Sequence, residues 1–427
     1  MTTDPSQLAK AIEALGRRAL DASRGTALLS TEAKDRALLR IADAIEENTA
    51  SILEANAKDL EAGVTQGLSK ALLDRLRLDK DRIRKMSAGV RAVAALPDPV
   101  GEEIERLAPA SGIDIRKVRV PIGVIGIIYE SRPNVTIDCA VLSLKSGNAC
   151  VLRGGKEAFH SNRALAAILE SALRETGLPE AAIQLIPTTD RAALNTLLHL
   201  DQYIHCIIPR GGEGLIRFVT EHSRIPVIKH YDGICNLYVH QDGRAAMATD
   251  ILLNAKVQRP GVCNAVENLL VDRALLQSWW PEAAAALLAA GVSIRADADA
   301  AKVLRERNLA VEEATEEDFA TEYLDKILSV RTVGDPDEAV DFINRYGSGH
   351  SDAIVTDNPT IAEHFLNAVD SATVYWNAST RFTDGFEFGF GAEIGISTDR
   401  LHARGPMGLR ELCTYKFKIY GHGEVRP

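Results

Sequence analysis

The chain has 427 residues, 46% of them apolar and 25% charged, so it carries enough apolar material for a packed core and is neither disordered nor collagen-like. Lys plus Arg total 49 against 59 Asp plus Glu, and the formal charge of −10 argues against a general nucleic-acid or anionic-membrane binder. The polar start Met1 to Leu8 does not read as an address, and the apolar run Val120 to Ile128 is too short for the ~20 residues of a membrane helix. Six cysteines without CxxC spacing point to free thiols in a reducing cytoplasm.

The first hundred residues read as helices. Asp4-Pro5 is a start signal, with Leu8, Ile12 and Leu15 at helical spacing, and Ser30 caps a second helix with Leu38, Ile41 and Ile45 on one face. Leu96-Pro97-Asp98-Pro99 ends this region. Ile113 to Val120 alternates as a strand with one wet face, and Val124 to Tyr129 is apolar on both faces, as in a buried strand. From 149 to 229 the expected strands are Ala149 to Leu152, Ile183 to Ile186, Tyr203 to Ile208 and Pro226 to Lys229. Helices through Phe159 to Leu173, Arg191 to Leu200 and Gly214 to Glu221 separate them. That rhythm predicts a parallel sheet with helices on both faces and ligands at the carboxyl ends of its strands. A second α/β segment begins near His230, with Leu269 to Val271, Ile327 to Val330 and Ala353 to Val355 as strands. The tail Cys413 to Tyr420 alternates again; it and the earlier alternating strand are expected to pair as an edge ribbon that extends a neighbouring subunit's sheet.

Chemistry concentrates at a few places. In Arg259-Pro260-Gly261-Val262-Cys263-Asn264 the proline and glycine put Cys263 on a tight turn, where N–H groups or Arg259 favour a thiolate; the other reading is a buried, inert cysteine. Arg153-Gly154-Gly155-Lys156 follows a strand and opens a helix, a place that draws anions, and Pro209-Arg210-Gly211-Gly212-Glu213-Gly214 repeats the pattern. Each alone reads equally as an ordinary turn, and neither is a GxGxxG or Walker loop; together they point to a phosphate-bearing cofactor. Glu130-Ser131-Arg132-Pro133-Asn134 offers Ser131 and Arg132 to a carboxylate or phosphate and Asn134 to an oxyanion, or else forms an Asn-capped turn. Asn377 to Gly385 could read a zwitterionic substrate, although by itself it reads as a solvated surface loop; His350 reads as a turn residue. No residue cluster has metal-ligand spacing, so no metal is expected.

Together these segments resemble a known family. Val120 to Ile128, then Ser146-Gly147-Asn148-Ala149, is similar to the cofactor-domain core of the aldehyde dehydrogenase superfamily, and Leu328 to Val333 with Asp337-Glu338-Ala339 to its catalytic domain. More narrowly, Tyr129 to Thr136, Leu144 to Asn148, Leu152 to Gly155, Val257 to Ala265 and Ser379 to Asp384 resemble the gamma-glutamyl phosphate reductase family. The resemblance implies an α/β fold with a Rossmann-type NADP-binding domain (1–104 and 123–229), an α/β catalytic domain (230–370) and a small β oligomerisation ribbon (105–122 and 405–427). It implies NADPH-dependent reduction of L-glutamate 5-phosphate to L-glutamate 5-semialdehyde and phosphate, the second step of proline synthesis from glutamate.

The resemblance also makes Cys263 the nucleophile. It puts Arg153 and Lys156, with Gly154 and Gly155 between them, at the adenosine ribose and 2′-phosphate of the cofactor, and Glu322 near the nicotinamide ribose. Gly211 and Gly212 join the cofactor set. On this reading Ser131, Arg132, Ser379, Thr380 and Arg381 hold the acyl phosphate and α-carboxylate, Asp384 meets the α-amino group, and Asn134 is the expected oxyanion donor. Acid-forming members of the superfamily carry a glutamate where Lys229-His230-Tyr231-Asp232-Gly233 has none, which suits a site that works with phosphate instead of water. The expected partners are a small-molecule substrate, other copies of the chain and a glutamate 5-kinase upstream, with no nucleic acid and no membrane. The alternatives are a CoA-acylating or acid-forming superfamily member, a cysteine hydrolase using His230 as base, and a non-catalytic binding protein on the same fold.

Overall fold

Apolar residues at helical spacing open the chain. Leu8, Ile12, Leu15 and Ala19 form the buried face of the helix Pro5–Thr26. The computed structural model describes residues 5–229 and 231–426, so the start signal at Asp4 and the candidate base His230 lie outside the described residues. The chain divides into two compact units, one of Met1–Lys229, Gly389–Gly395 and Met407–Pro427, the other of His230–Phe388 and Ile396–Pro406.

In the first unit the helix Thr31–Glu47 starts at Ser30, whose Oγ accepts the N–H of Ala33 at 3.3 Å. Two lysines are buried among these helices: Lys34 Nζ lies 2.5 Å from Asp98 Oδ2, and Lys145 Nζ bonds Asp35 and, at 2.8 Å, the carbonyl of Ala94. The strands are β1 (Glu103–Leu107), β2 (Asp114–Pro121), β3 (Val124–Tyr129), β4 (Ala149–Arg153), β5 (Ile183–Leu185) and β6 (Cys206–Arg210). Among the described residues β5-β4-β3-β6 form a parallel sheet in that order. Val124, Ile128, Val151 and Ile207 pack from it onto Leu8, Ile12 and Leu197. β3 is buried along its whole length, as its unbroken apolar run predicts.

β2 lies between β1 and the C-terminal strand Cys413–Tyr420, both antiparallel to it, in a register from Cys413 opposite Pro121 to Tyr420 opposite Asp114. The two alternating segments therefore do pair, within one chain. The ribbon leaves Tyr415, Phe417 and Ile419 exposed.

The second unit holds β7 (Cys235–Val239), β8 (Val266–Asp272), β9 (Ser293–Ala296), β10 (Glu312–Glu313), β11 (Ile327–Val333), β12 (Ser351–Val355) and β13 (Thr373–Trp376). Among the described residues they form one parallel sheet, in the order β10-β9-β11-β8-β7-β12-β13. Alternate residues feed two cores: Leu237, Leu269 and Val271 pack with Trp280 and Leu287 on one face, Tyr238 and Leu270 with Phe319, Phe342 and Phe365 on the other. Among the described residues no helix is long and apolar enough to cross a membrane.

Three expected boundaries move. The strand placed at Tyr203 begins at Cys206, because the N–H groups of Tyr203 and Ile204 both close on the carbonyl of Leu200 at a helix end. The helix from Arg191 stops at Leu197. Pro226 to Lys229 shrinks to one parallel bridge, Ile207 with Val227, since Pro226 has no N–H to carry the ladder back.

Candidate active site

The helix Ala245–Val257 delivers the chain to a turn in which the N–H of Ala265 bonds the carbonyl of Val262 at 3.0 Å. Cys263 and Asn264 are its central residues, so their own N–H groups take no part in the turn's hydrogen bond. Of the six cysteines five are buried and Cys263 is half-buried. Burial pushes the thiols of Cys150, Cys206 and Cys413 up to about 12, and raises those of Cys139 and Cys235 as well. Among these sulfurs Cys263 alone keeps partial access to solvent.

The backbone beneath that turn is tightly built. A Cβ on Gly233 would sit 2.2 Å from the carbonyl oxygen of Cys263 and 2.4 Å from its Cα, so only glycine passes there. On β7, Cys235 Sγ donates to the same carbonyl at 3.1 Å and lies 3.7 Å from His350 Nδ1, which contacts Ser351 Oγ at 2.8 Å. His350 lies in a bend, as a turn residue, and is buried beneath the backbone that supports the Cys263 turn.

The segment from Ser379 to Asp384 is fastened directly to the nucleophile turn. Thr380 Oγ1 donates to the carbonyl of Asn264 at 2.7 Å, and Asn264 Nδ2 donates to the carbonyls of Thr383 at 2.8 Å and Arg381 at 3.4 Å. Thr383 Oγ1 meets the hydroxyls of Ser351, Tyr375 and Thr373 at 2.6, 2.7 and 2.8 Å. Ser379 and Thr380 are buried, with Ser379 Oγ accepting the N–H of Arg381 at 3.3 Å. Read alone as a solvated loop, this segment is instead anchored by its own hydroxyls. Arg381 Nε donates to Gln258 Oε1 at 3.0 Å. Burial and the like charge of Arg259 lower its pKa, while Asp384 and Cys263 oppose that shift. Asp384 Oδ1 accepts the N–H of Phe386 at 2.9 Å. Sequence reasoning missed Asn264 and Thr383; for Asn264 the one signal available was its place directly after Cys263, and for Thr383 there was none.

Glu322 lies half-buried in the link before β11, close enough to raise the pKa of Glu267. In that link the carbonyl of Leu324 sits 3.5 Å from where a Cβ on Gly261 would be, against the nucleophile turn.

In the first unit the remaining candidates gather at the ends of β3, β4 and β6, joined by Glu130. Its Oε2 accepts the N–H of Gly212 at 3.0 Å, and a Cβ on Gly211 would meet the same oxygen at 2.4 Å. The helix Phe159–Glu175, which follows the Arg153 turn, is likewise capped: Asp59 accepts from His160 N at 3.0 Å and from Ser161 N at 2.7 Å. Carboxylates of the chain itself thus take one N–H at the Gly212 turn and two in the first turn of Phe159–Glu175. Gly154 and Gly155 are explained by packing, since a Cβ would strike Asn162 Nδ2 at 2.1 Å or Glu157 Oε2 at 2.2 Å.

Arg153 is different. Its Nη2 bonds the carbonyl of Thr189 at 3.1 Å, but its buried Nε has no hydrogen-bond partner. A half-buried guanidinium with its Nε donor left over fits an anionic cofactor group, and Lys156 beside it is exposed. Ser131 holds a left-handed φ of 48°, Arg132 is exposed, and Asn134 opens the helix Asn134–Lys145 with Nδ2 donating to Asp138 Oδ2 at 2.8 Å. One N–H of the expected oxyanion donor is therefore already engaged within its own helix.

The sequence profile of the aldehyde dehydrogenase family matches residues 2–301. The chain is 57% identical to a gamma-glutamyl phosphate reductase of Opitutus terrae over 422 residues, covering 99% of each chain. It is 54% identical to one of Moorella thermoacetica, covering 97% of this chain and 98% of that one. A crystal structure of gamma-glutamyl phosphate reductase from Thermotoga maritima superposes with a TM-score of 0.95 at 43% identity, over 97% of this chain and all of that one.

Proposed function

The chain belongs to the aldehyde dehydrogenase family and, within it, to the gamma-glutamyl phosphate reductases, and we propose that it reduces L-glutamate 5-phosphate to L-glutamate 5-semialdehyde and phosphate through a thioester on Cys263. Its place is in proline biosynthesis, in the cytoplasm, where free thiols persist. The CoA-acylating and acid-forming alternatives are not favoured by these relatives. The observation that carries the reading is the contrast among the cysteines: five are buried and held protonated, while Cys263 sits half-exposed at the centre of a turn beside Arg259 and Arg381.

The Cys263 thiolate attacks the acyl carbon, the carbon–oxygen bond to phosphate breaks, and phosphate leaves with its electron pair. The N–H groups of the Cys263 turn, with Asn134, are assigned to the tetrahedral oxyanion. Arg153 and Lys156 would hold the adenosine ribose and 2′-phosphate of NADPH, with Glu322 at its nicotinamide ribose, and the cofactor so held would furnish the hydride that reduces the thioester carbon. The resulting tetrahedral adduct releases the aldehyde and regenerates the thiolate. The unpartnered Nε of Arg153 supports NADPH over NADH. Ser379, Thr380 and Arg381, with Ser131 and Arg132, are assigned to the substrate's phosphate and α-carboxylate, and Asp384 to its ammonium group. The first unit is assigned the cofactor, the second the covalent chemistry, and the ribbon β1-β2 with its C-terminal strand the contact between copies of the chain. A kinase acting on the glutamate side chain must supply the acyl phosphate.

The test is the reverse reaction, semialdehyde with NADP and phosphate. Cys263→Ala is expected to abolish NADPH formation, and omission of phosphate to reduce it to a trace in the parent enzyme. Turnover by the variant near the parent rate overturns the assignment.

A further inference from the structure

Lys256 lies in the last turn of the helix Ala245–Val257, Glu267 is the second residue of β8, and the turn that carries Cys263 runs between them. Their side chains, neither exposed to solvent, meet at 2.5 Å between Lys256 Nζ and Glu267 Oε2. The mechanism above uses neither. Stability alone is a weak reason for such a pair, since taking two charges out of water costs about as much as their attraction returns, and an apolar pair of similar volume serves as well.

The second oxygen of Glu267 supplies another reason. Oε1 accepts the N–H of Leu324 at 3.4 Å, and Leu324 holds a left-handed φ of 54°. The Tyr323 ring lies 5.9 Å from Lys256 Nζ, and its hydroxyl contacts Ser329 Oγ at 2.7 Å and Asp318 Oδ1 at 3.0 Å. The carbonyl of Leu324 faces Gly261, within the nucleophile turn. One carboxylate thus ties the entry to the Cys263 turn, its exit, and the segment that bears Glu322.

We infer that Lys256 and Glu267 are positioning residues, holding the Cys263 turn and the Glu322–Leu324 segment in one fixed arrangement so that nucleophile and ribose-binding carboxylate keep their separation. The inference rests on the roles given to Cys263 and Glu322 under Proposed function. Burial lowers the pKa of Lys256 and raises that of Glu267.

The experiment compares the full-length parent with Glu267→Gln and with the apolar pair Lys256→Met/Glu267→Leu, in the reverse reaction well below the melting temperature. A misplacement of reacting groups by about 1 Å is worth about 100-fold in rate. The apolar pair is expected to melt near the parent and yet lose kcat on that scale, with a raised KM for NADP. A folded apolar pair with parental kcat and KM overturns the inference, leaving the ion pair a structural one. If the apolar pair does not fold, Glu267→Gln decides: parental constants overturn the inference, and a raised KM for NADP with lowered kcat supports it. Cys263→Ala is run alongside, because activity there marks failure of the nucleophile assignment, whatever the pair does.

Discussion

A thiol reacts as its anion, so burial that raises its pKa also silences it. Five sulfurs here are silenced in that way and one is not. Native enzyme treated with iodoacetamide near neutral pH is therefore expected to take one label, on Cys263, with the other five appearing only after denaturation. Labelling of Cys235 at a comparable rate would show that β7 opens readily. Asp352 carries a second residue-scale expectation. It is fully buried on β12, accepts from Asn236 N at 2.8 Å, Asn236 Nδ2 at 2.6 Å and Ser371 Oγ, and burial raises its carboxyl to about 6. The folded chain thus holds this proton more tightly than the unfolded chain. Its contribution to stability is full below the ordinary value of 3.8 and is lost as pH rises through about 6. Asp352→Asn removes the titration, so its stability relative to the parent is expected to climb between pH 4 and pH 7, by at most about 3 kcal/mol. A difference that stays flat with pH overturns this. Of the candidate site, Cys263 stood out in the sequence by the turn residues before it, whereas the 379–384 segment read alone as a solvated loop and entered only through the family resemblance. Asn264, Thr383 and the Lys256–Glu267 pair were not readable, because what marks them is burial, which a single sequence does not display.

At the scale of elements, the helices of the first unit are pinned by lysines whose charges have left water. Lys145→Met removes the bonds to Asp35 and to the carbonyl of Ala94. Asp35 keeps partial access to solvent and can rehydrate, so the expected loss is about 2 kcal/mol, read as a lower urea midpoint with an unchanged slope. A loss below a few tenths would mean that the pair contributes nothing. The helices of the first hundred residues, those between 159 and 222, and the strands of the first sheet were legible from periodicity and from Gly and Pro punctuation, while the helix Asn134–Lys145 and the helices of the second unit were not named. β7 was not expected, although it lies inside the larger sheet between β8 and β12, since its five residues, broken by the buried polar Asn236, show neither strict alternation nor an unbroken apolar run. Nor could the sequence reveal that Glu130 and Asp59 occupy the two helix ends, because both caps come from residues distant in the chain.

For the whole molecule, the ribbon's exposed Phe417 and Ile419 are the residues through which copies of the chain are expected to meet. The double variant Phe417→Glu/Ile419→Glu should shift light scattering toward a smaller species while circular dichroism stays parental. An unchanged mass removes the ribbon from that role. The same ribbon has a bearing on how the protein is made. Its last strand closes against residues 114–121, and the buried amide of Asn148 donates to the carbonyl of Leu412, 264 positions later, at 2.8 Å. A ribosome working at about 5–20 residues per second needs roughly 10–50 s to cover that interval. Throughout it the earlier half of the chain must wait with a sheet edge unmated while the intervening unit emerges, which makes nascent polypeptide, not mature enzyme, the form most exposed to aggregation and most in need of a chaperone.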